Sequence, residues 1–237
     1  MKKTILLIHG WDYNLYTKMT NSNDAWGEYN SFINMLEEKY NLIKVNLPGF
    51  CSSKEPNQKS WNISDFSKYI NECVQNKKID IIIGYSFGGA VAVDYKVTYK
   101  SSAKLFLIAP AIIRNMNNSK KFAKTPSLLM PIRNKIRDLY VSYIIKNNEM
   151  RYGTKFLKNT YQNIVRVDKT NDLYKINSND LCILYGSKDT AVNPNKMIST
   201  INDNYKKCIK TIENANHDNI IINYVNDIKK ELNKFDK

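Results

Sequence analysis

An α/β fold, a mostly parallel sheet with helices on both faces and one inserted helical block, follows from three observations in the sequence. Short apolar runs alternate with longer amphipathic stretches, the rhythm of strand, crossover and strand. Gly, Pro, Asn or Asp bounds each run, as at the ends of buried parallel strands. Residues 111–175 break the rhythm with helical patterns and no strand pair.

The first run, Thr4–Ile8, follows Met1-Lys2-Lys3 and faintly resembles a signal peptide. It is too short for one and ends in His9-Gly10-Trp11-Asp12 rather than a small-residue cleavage site. It therefore reads as a buried strand, and the protein as cytoplasmic. Tyr29–Lys39 places Phe32, Ile33 and Leu36 on one helical face, and Leu42–Leu47 reads as the second strand. Ser64–Asn76 is a second amphipathic helix through Phe66, Tyr69, Ile70 and Cys73. Asp80–Ile83 and Lys104–Ile108 are strands on either side of Phe87–Tyr99, a helix dense in small and apolar residues.

Within 111–175, Ile132–Lys146 and Gly153–Ile164 read as helices, while Asn115–Ser119 and Thr125-Pro126-Ser127 read as loops or breaks. The sheet does not need this block, so it is expected to be a lid. Asp180–Tyr185 and Cys208–Ile212 complete the sheet. Asn219–Leu232, with Ile222, Val225, Ile228 and Leu232 at helical spacing, is expected as one last helix. The expected organisation is a core of residues 1–110 and 176–237 interrupted by a lid of residues 111–175.

A chain of 237 residues suits one substantial domain with an insertion. Its 43% hydrophobic and 24% charged residues exclude disorder over most of its length. No run approaches the roughly 18–20 apolar residues of a membrane span. Cys51, Cys73, Cys182 and Cys208 form no CxxC, and with two His there is no metal-ligand cluster. Free thiols are expected, with no metal and no cofactor. The net charge of +14 is concentrated: residues 111–175 hold 14 Lys/Arg against 4 Asp/Glu. Such a surface can attract nucleic acid, anionic membrane or acidic substrates. A chain rich in Lys, Asn and Ile also acquires such charge by compositional drift, and no RNP, zinc-finger or basic-helix motif accompanies it. No specific nucleic-acid partner is expected, and at most a weak attraction of the basic lid to anionic surfaces.

The chemistry concentrates in Ile81-Ile82-Ile83-Gly84-Tyr85-Ser86-Phe87-Gly88-Gly89, an apolar strand running through GxSxG into a helix. A tight turn there pushes the Ser86 hydroxyl above the strand end, and side chains at positions 84 and 88 would clash with neighbouring strand and helix. The Phe87 amide at the helix start can donate to an oxyanion. With only eight Gly in the chain, a chance match in this context is uncommon. A serine needs a base, and only His9 and His217 are available. His217 follows the last strand, at the edge where strand ends converge. His9 precedes Gly10 at the end of the first strand, where bracing a turn suits it better. Asp189, in Gly186-Ser187-Lys188-Asp189 after the fifth strand, is the expected acid. Its competitors are less suited, since Asp168 and Asp172 fall in the lid and Asp218 adjoins His217 in sequence.

With these residues in order Ser, acid, His, the chain resembles the α/β-hydrolase superfamily in its compact, lidded form. Leu7-Ile8-His9-Gly10-Trp11 resembles the oxyanion-loop motif, and Asn46-Leu47-Pro48-Gly49-Phe50-Cys51-Ser52 the D-x-P-G-x-G-x-S loop, with Asn46 and Cys51 as departures. Tyr185-Gly186-Ser187-Lys188-Asp189 with Val192 and Pro194 resembles the acid turn, and Asn216-His217 the base turn. The resemblance implies that the Trp11 amide is the second oxyanion donor. Asn216 stands where glycine is common, and Asn tolerates unusual backbone angles. His9, Gly10, Phe50 and Tyr85 are expected around the substrate pocket together with Trp11 and Phe87, although aromatic residues at such places also serve a core.

The expected reaction is cleavage of a carboxylic ester or thioester of a small-molecule acyl substrate through an acyl-enzyme. A nucleophilic Asp in place of Ser86 would be needed for dehalogenase or epoxide-hydrolase chemistry. Amidase or iminopeptidase action and C–C bond hydrolysis are alternatives on the same residues. A non-catalytic binding protein using the basic lid is the alternative of another class.

Overall fold

The computed structural model describes residues 2–16, 23–51, 53–113 and 152–237. Six strands form one sheet: β1 (Thr4–Ile8), β2 (Asn41–Val45), β3 (Ile81–Tyr85), β4 (Lys104–Ile108), β5 (Leu181–Gly186) and β6 (Ile209–Ile212). Their spatial order is β2-β1-β3-β4-β5-β6, and every neighbouring pair is parallel. The four central strands are almost wholly buried, whereas β2 and β6 at the edges expose part of their length. This is why the central runs read as continuous Ile and Leu.

The chain steps from β1 outward to β2 and then returns to β3 on the other side of β1. Parallel crossovers are right-handed, so the change of direction puts the connecting helices on opposite faces. Accordingly α1 (Asn30–Glu37) packs with α9 (Val225–Phe235), and α2 (Ile63–Cys73) packs with α3 (Phe87–Thr98). The reversal leaves a crevice beyond the carboxyl ends of β1 and β3, the place where open α/β sheets bind ligands.

Two local differences from the expected pattern have physical causes. The last helix is two segments, α8 (Ile220–Asn223) and α9, separated by Tyr224 at φ −117° and ψ 32°. That break turns Ile222 out of the apolar stripe, where it is 53% exposed, while Ile220 and Ile221 are fully buried. The segment between β5 and β6 carries two short helices that hydrophobic spacing did not reveal, α6 (Pro194–Thr200) and α7 (Asp203–Lys206). The signal for α6 was local: Asn193 caps it by accepting from the amides of Asn195 and Lys196, and Pro194 occupies its first turn.

Of residues 111–175, the described parts include α4 (Lys155–Ile164), started by the Thr154 hydroxyl accepting from the Leu157 amide, and the short α5 (Thr170–Leu173). The expected helix over Ile132–Lys146 and the expected breaks at Asn115–Ser119 and Thr125–Ser127 lie outside the described residues. The stretch that leaves β4 meets the stretch that returns: the Lys169 amide donates to the Ile112 carbonyl at 3.0 Å. The Lys169 amine also bonds Asp94 on α3 at 2.6 Å and Asp172 at 2.8 Å, and Ser67 on α2 donates to the same Asp94. Further out, the Trp61 amide donates to the Thr160 hydroxyl at 2.9 Å, holding α4 over the start of α2.

Candidate active site

The turn between β3 and α3 places Ser86 at φ 51° and ψ −116°, a backbone conformation that costs an L-residue about 1–3 kcal/mol. The surroundings over-determine it. The Ser86 amide donates to the Ile108 carbonyl at 3.0 Å, and its carbonyl accepts from Gly89 at 3.0 Å and Ala111 at 2.9 Å. Close approach makes the flanking glycines obligatory. A Cβ on Gly84 would lie 2.6 Å from the Gly88 carbonyl oxygen, and one on Gly88 would lie 2.2 Å from that of Ile8. The strand, the turn and β1 thus fit only with hydrogens at these positions.

His217 lies 3.0 Å through Nε2 from the Ser86 hydroxyl and 2.8 Å through Nδ1 from Asp189 Oδ2. A carboxylate can only accept, so Nδ1 carries the proton and Nε2 is left to accept from Ser86. The Asp189 side chain is fully buried, and its other oxygen accepts from the amides of Ala191 at 2.9 Å and Val192 at 2.8 Å. These three donors hold the carboxylate in one orientation. The alternative acids are engaged elsewhere: Asp168 caps Thr170, Asp172 pairs with Lys169 and Lys175, and Asp218 is exposed.

The acid and base turns are laced together by backbone bonds from Ser187 to Ile212 at 2.9 Å and from Lys188 to Ala215 at 2.8 Å. The Asn214 amide also donates to the Ser187 hydroxyl at 2.9 Å. Asn216 serves this turn differently from the sequence expectation. It is not among the residues of positive φ; instead its side-chain oxygen accepts from the amides of Asp218 and Asn219. Asn214, at φ 63°, takes the left-handed position. In the loop after β2, the Cys51 departure from glycine adopts φ 52°, so the chain keeps the glycine-like bend with a side chain in place.

Tyr85 is tied to the base rather than simply facing the crevice. Its hydroxyl donates to the His217 carbonyl at 2.8 Å, and its ring stacks on the imidazole with centroids 5.6 Å apart. Burial, with Tyr29 and the carboxylates of Asp218, Asp12 and Asp189 around it, raises its pKa far above the usual phenol range. Sequence reasoning did not assign it this role, nor the amides of Ala191, Val192 and Ala111 theirs. The Asx-turn propensity of Asp189 was the one available signal.

His9 is not a base. Its Nε2 accepts from the Leu47 amide at 2.9 Å, so Nδ1 donates to the Gly10 carbonyl at 2.7 Å. Burial pushes its pKa down to about 4, and the neutral ring joins the end of β1 to the loop after β2. His9 and Phe50 are 1% and 0% exposed and meet edge to face, so neither ring presents surface to solvent. Gly10 does reach the serine: a Cβ on it would stand 3.1 Å from that of Ser86. Trp11 follows, its ring edge-on to Phe50 and Phe87 and close to Tyr161 of α4. Neither the Trp11 nor the Phe87 amide is taken by a backbone acceptor among the described residues outside helices and strands. As the first helical residue, Phe87 has no acceptor within its own helix.

A buried Asp, an imidazole and a serine on a strained strand-to-helix turn, at the switch point of a parallel sheet, define a class of protein. The family described as alpha/beta hydrolase fold matches residues 3–123, and the chain belongs to it. No curated protein sequence matches the chain. Among solved structures, an esterase from Exiguobacterium antarcticum is similar at 17% identity and a TM-score of 0.65, covering 99% of this chain and 91% of its own. A meta-cleavage product hydrolase from Pseudomonas fluorescens IP01 is similar at 16% identity and 0.65, covering 98% and 90%. A bromoperoxidase from Bacillus anthracis is similar at 17% identity and 0.61, covering 99% and 92%. At these identities the likeness extends to the fold, and three different reactions share it.

Proposed function

We propose that the protein is a serine hydrolase that cleaves a carboxylic ester through an acyl-enzyme, with Ser86 as nucleophile, His217 as base and Asp189 as the acid that orients it. The observation that carries this reading is the continuous hydrogen-bonded relay from the Ser86 hydroxyl through His217 to buried Asp189. In the reaction Ser86 Oγ attacks the ester carbonyl while His217 Nε2 takes its proton. The amides of Phe87 and Trp11 hold the resulting oxyanion, in a crevice where fixed dipoles act more strongly than water. His217 then returns the proton to the leaving alkoxide, and a water molecule, deprotonated by the same nitrogen, releases the acid.

Residues 111–175 form the lid in this reading. The meeting of Ile112 and Lys169, and the contact of Tyr161 on α4 with Trp11, support it. We place the enzyme in the cytoplasm, a setting that suits its four free cysteines. Among the described residues no helix is long and apolar enough to cross a membrane.

The test is hydrolysis of p-nitrophenyl esters across acyl lengths, with Ser86→Ala assayed in parallel. Turnover that falls to background in the variant, with unfolding unchanged, is the expected result. Wild-type rates in Ser86→Ala would overturn the assignment, and absence of ester turnover in the wild type would overturn the ester as substrate.

A further inference from the structure

The acid turn has a second face. While Asp189 points to His217, the residues that follow it, Thr190–Asn193, line a cavity of about 470 Å³. Pro110 and Ile113 form another wall, and the chain between them carries Ala111, whose amide bonds the Ser86 carbonyl at 2.9 Å. One wall of the cavity thus adjoins the segment that holds the Ser86 backbone, and another follows the acid turn. Its size falls within the few hundred to about 1,000 Å³ typical of small-molecule sites. Ile113, Val165, Val192 and Met197 contribute apolar surface, as an acyl chain requires.

Lys196 on α6 lines the same cavity. It is half-buried, and among the described residues its amine has no hydrogen-bond or ion-pair partner. Asp189, the carboxylate on the adjoining turn, is saturated by His217 and two amides. A neutral acyl chain filling this space would strip water from the amine and return nothing, whereas a carboxylate would meet it.

We infer that this cavity is the acyl pocket and that Lys196 selects acyl chains ending in a carboxylate, a reading that rests on Ser86 as the nucleophile. The substrates are then monoesters of short dicarboxylic acids, and the reaction preceding this one is one that esterifies such an acid at a single end.

The experiment compares mono-p-nitrophenyl glutarate with p-nitrophenyl valerate, which have the same acyl length and differ in the terminal charge. Wild-type kcat/KM is expected to favour the glutarate ester by about tenfold, the gain one charge-assisted contact supplies. Lys196→Gln brings the ratio to about one, and Lys196→Glu reverses it. Both esters are read on one preparation, so the ratio does not depend on the folded fraction. Lys188→Gln, an exposed neighbour on the same turn, leaves the ratio unchanged. A wild-type ratio at or below one, a preference that survives Lys196→Gln, or an equal loss in Lys188→Gln overturns the inference.

Binding separates this inference from the esterase reading. Glutarate is expected to raise the Tm of the wild-type and Ser86→Ala proteins but not that of Lys196→Gln. If neither ester is cleaved, that shift alone decides: its presence keeps the anion pocket while the esterase reading falls, and its absence in the wild type overturns the pocket as well.

Discussion

Replacing Asp189 with Asn changes one atom of the relay and should disable it. The Asn carbonyl oxygen can still accept from the amides of Ala191 and Val192, which now bond Asp189 at 2.9 and 2.8 Å. Its NH2 group then occupies the place of Oδ2, 2.8 Å from His217 Nδ1, and presents a donor to a donor. The imidazole resolves the conflict by moving its proton to Nε2. That nitrogen now donates toward Ser86 Oγ, 3.0 Å away, and can no longer take its proton. Both the wrong tautomer and the lost stabilisation of the imidazolium raise the barrier. A tautomeric error of this kind costs about 10³–10⁴-fold in kcat, or roughly 4–5.5 kcal/mol. Stability should change far less, by about 1 kcal/mol, because the two amide bonds persist and the third returns with its direction reversed, the NH2 group donating to the deprotonated Nδ1. The assay is p-nitrophenyl butyrate hydrolysis under saturating substrate, with urea unfolding on the same samples. A variant whose kcat stays within tenfold of wild type, with unfolding unchanged, would refute the reasoning and require another orienting acid.

Two further predictions concern the scaffold. Gly88→Ala forces a methyl group to within 2.2 Å of the Ile8 carbonyl oxygen, so β1 or α3 must shift; a loss of about 3 kcal/mol or more is expected in urea unfolding. A loss below about 1 kcal/mol would mean that the elbow is not packed as described. For His9 the sign follows from its depressed pKa of about 4 in the folded state against an ordinary 6.5. Between these values the unfolded chain holds the proton and the folded protein does not, so stability is highest above pH 6.5 and declines toward pH 4. The decline from this group amounts to up to about 3 kcal/mol. Unfolding free energies at pH 7 and pH 5 should fall more for wild type than for His9→Gln, and equal falls would show that His9 titrates normally.

Much of the site was legible from local sequence because its parts are local devices. The GxSxG spacing at 84–88 works only where strand and helix approach within the radius of a methyl group, and the glycine contacts bear that packing out. The central strands were legible as apolar runs because both faces of the sheet are covered. The edge of legibility lies where one residue's state depends on a distant one. Val225, Ile228 and Leu232 keep helical spacing with Ile222, yet the break at Tyr224 left Ile222 exposed, a choice made by packing on α1 rather than by periodicity. The helix α6 announced itself only through the Asn193-Pro194 cap.

Sequence order alone was enough to place a serine, an acid and a histidine after β3, β5 and β6, since a parallel sheet brings all its carboxyl ends to one edge. Position after the last strand already favoured His217 over His9, and the tertiary structure supplies the surroundings of each. His9 and His217 each follow a strand, but the loop after β2 closes on His9 and removes it from water, while the acid turn leaves His217 beside Ser86. The same holds for Tyr85 and Lys196, whose surroundings come from segments far along the chain: the turn bearing His217 for Tyr85, and the segment after β4 and the end of α4 for Lys196. Spacing along a chain records which face a side chain takes. What it meets there is set by long-range packing, and so is its charge state.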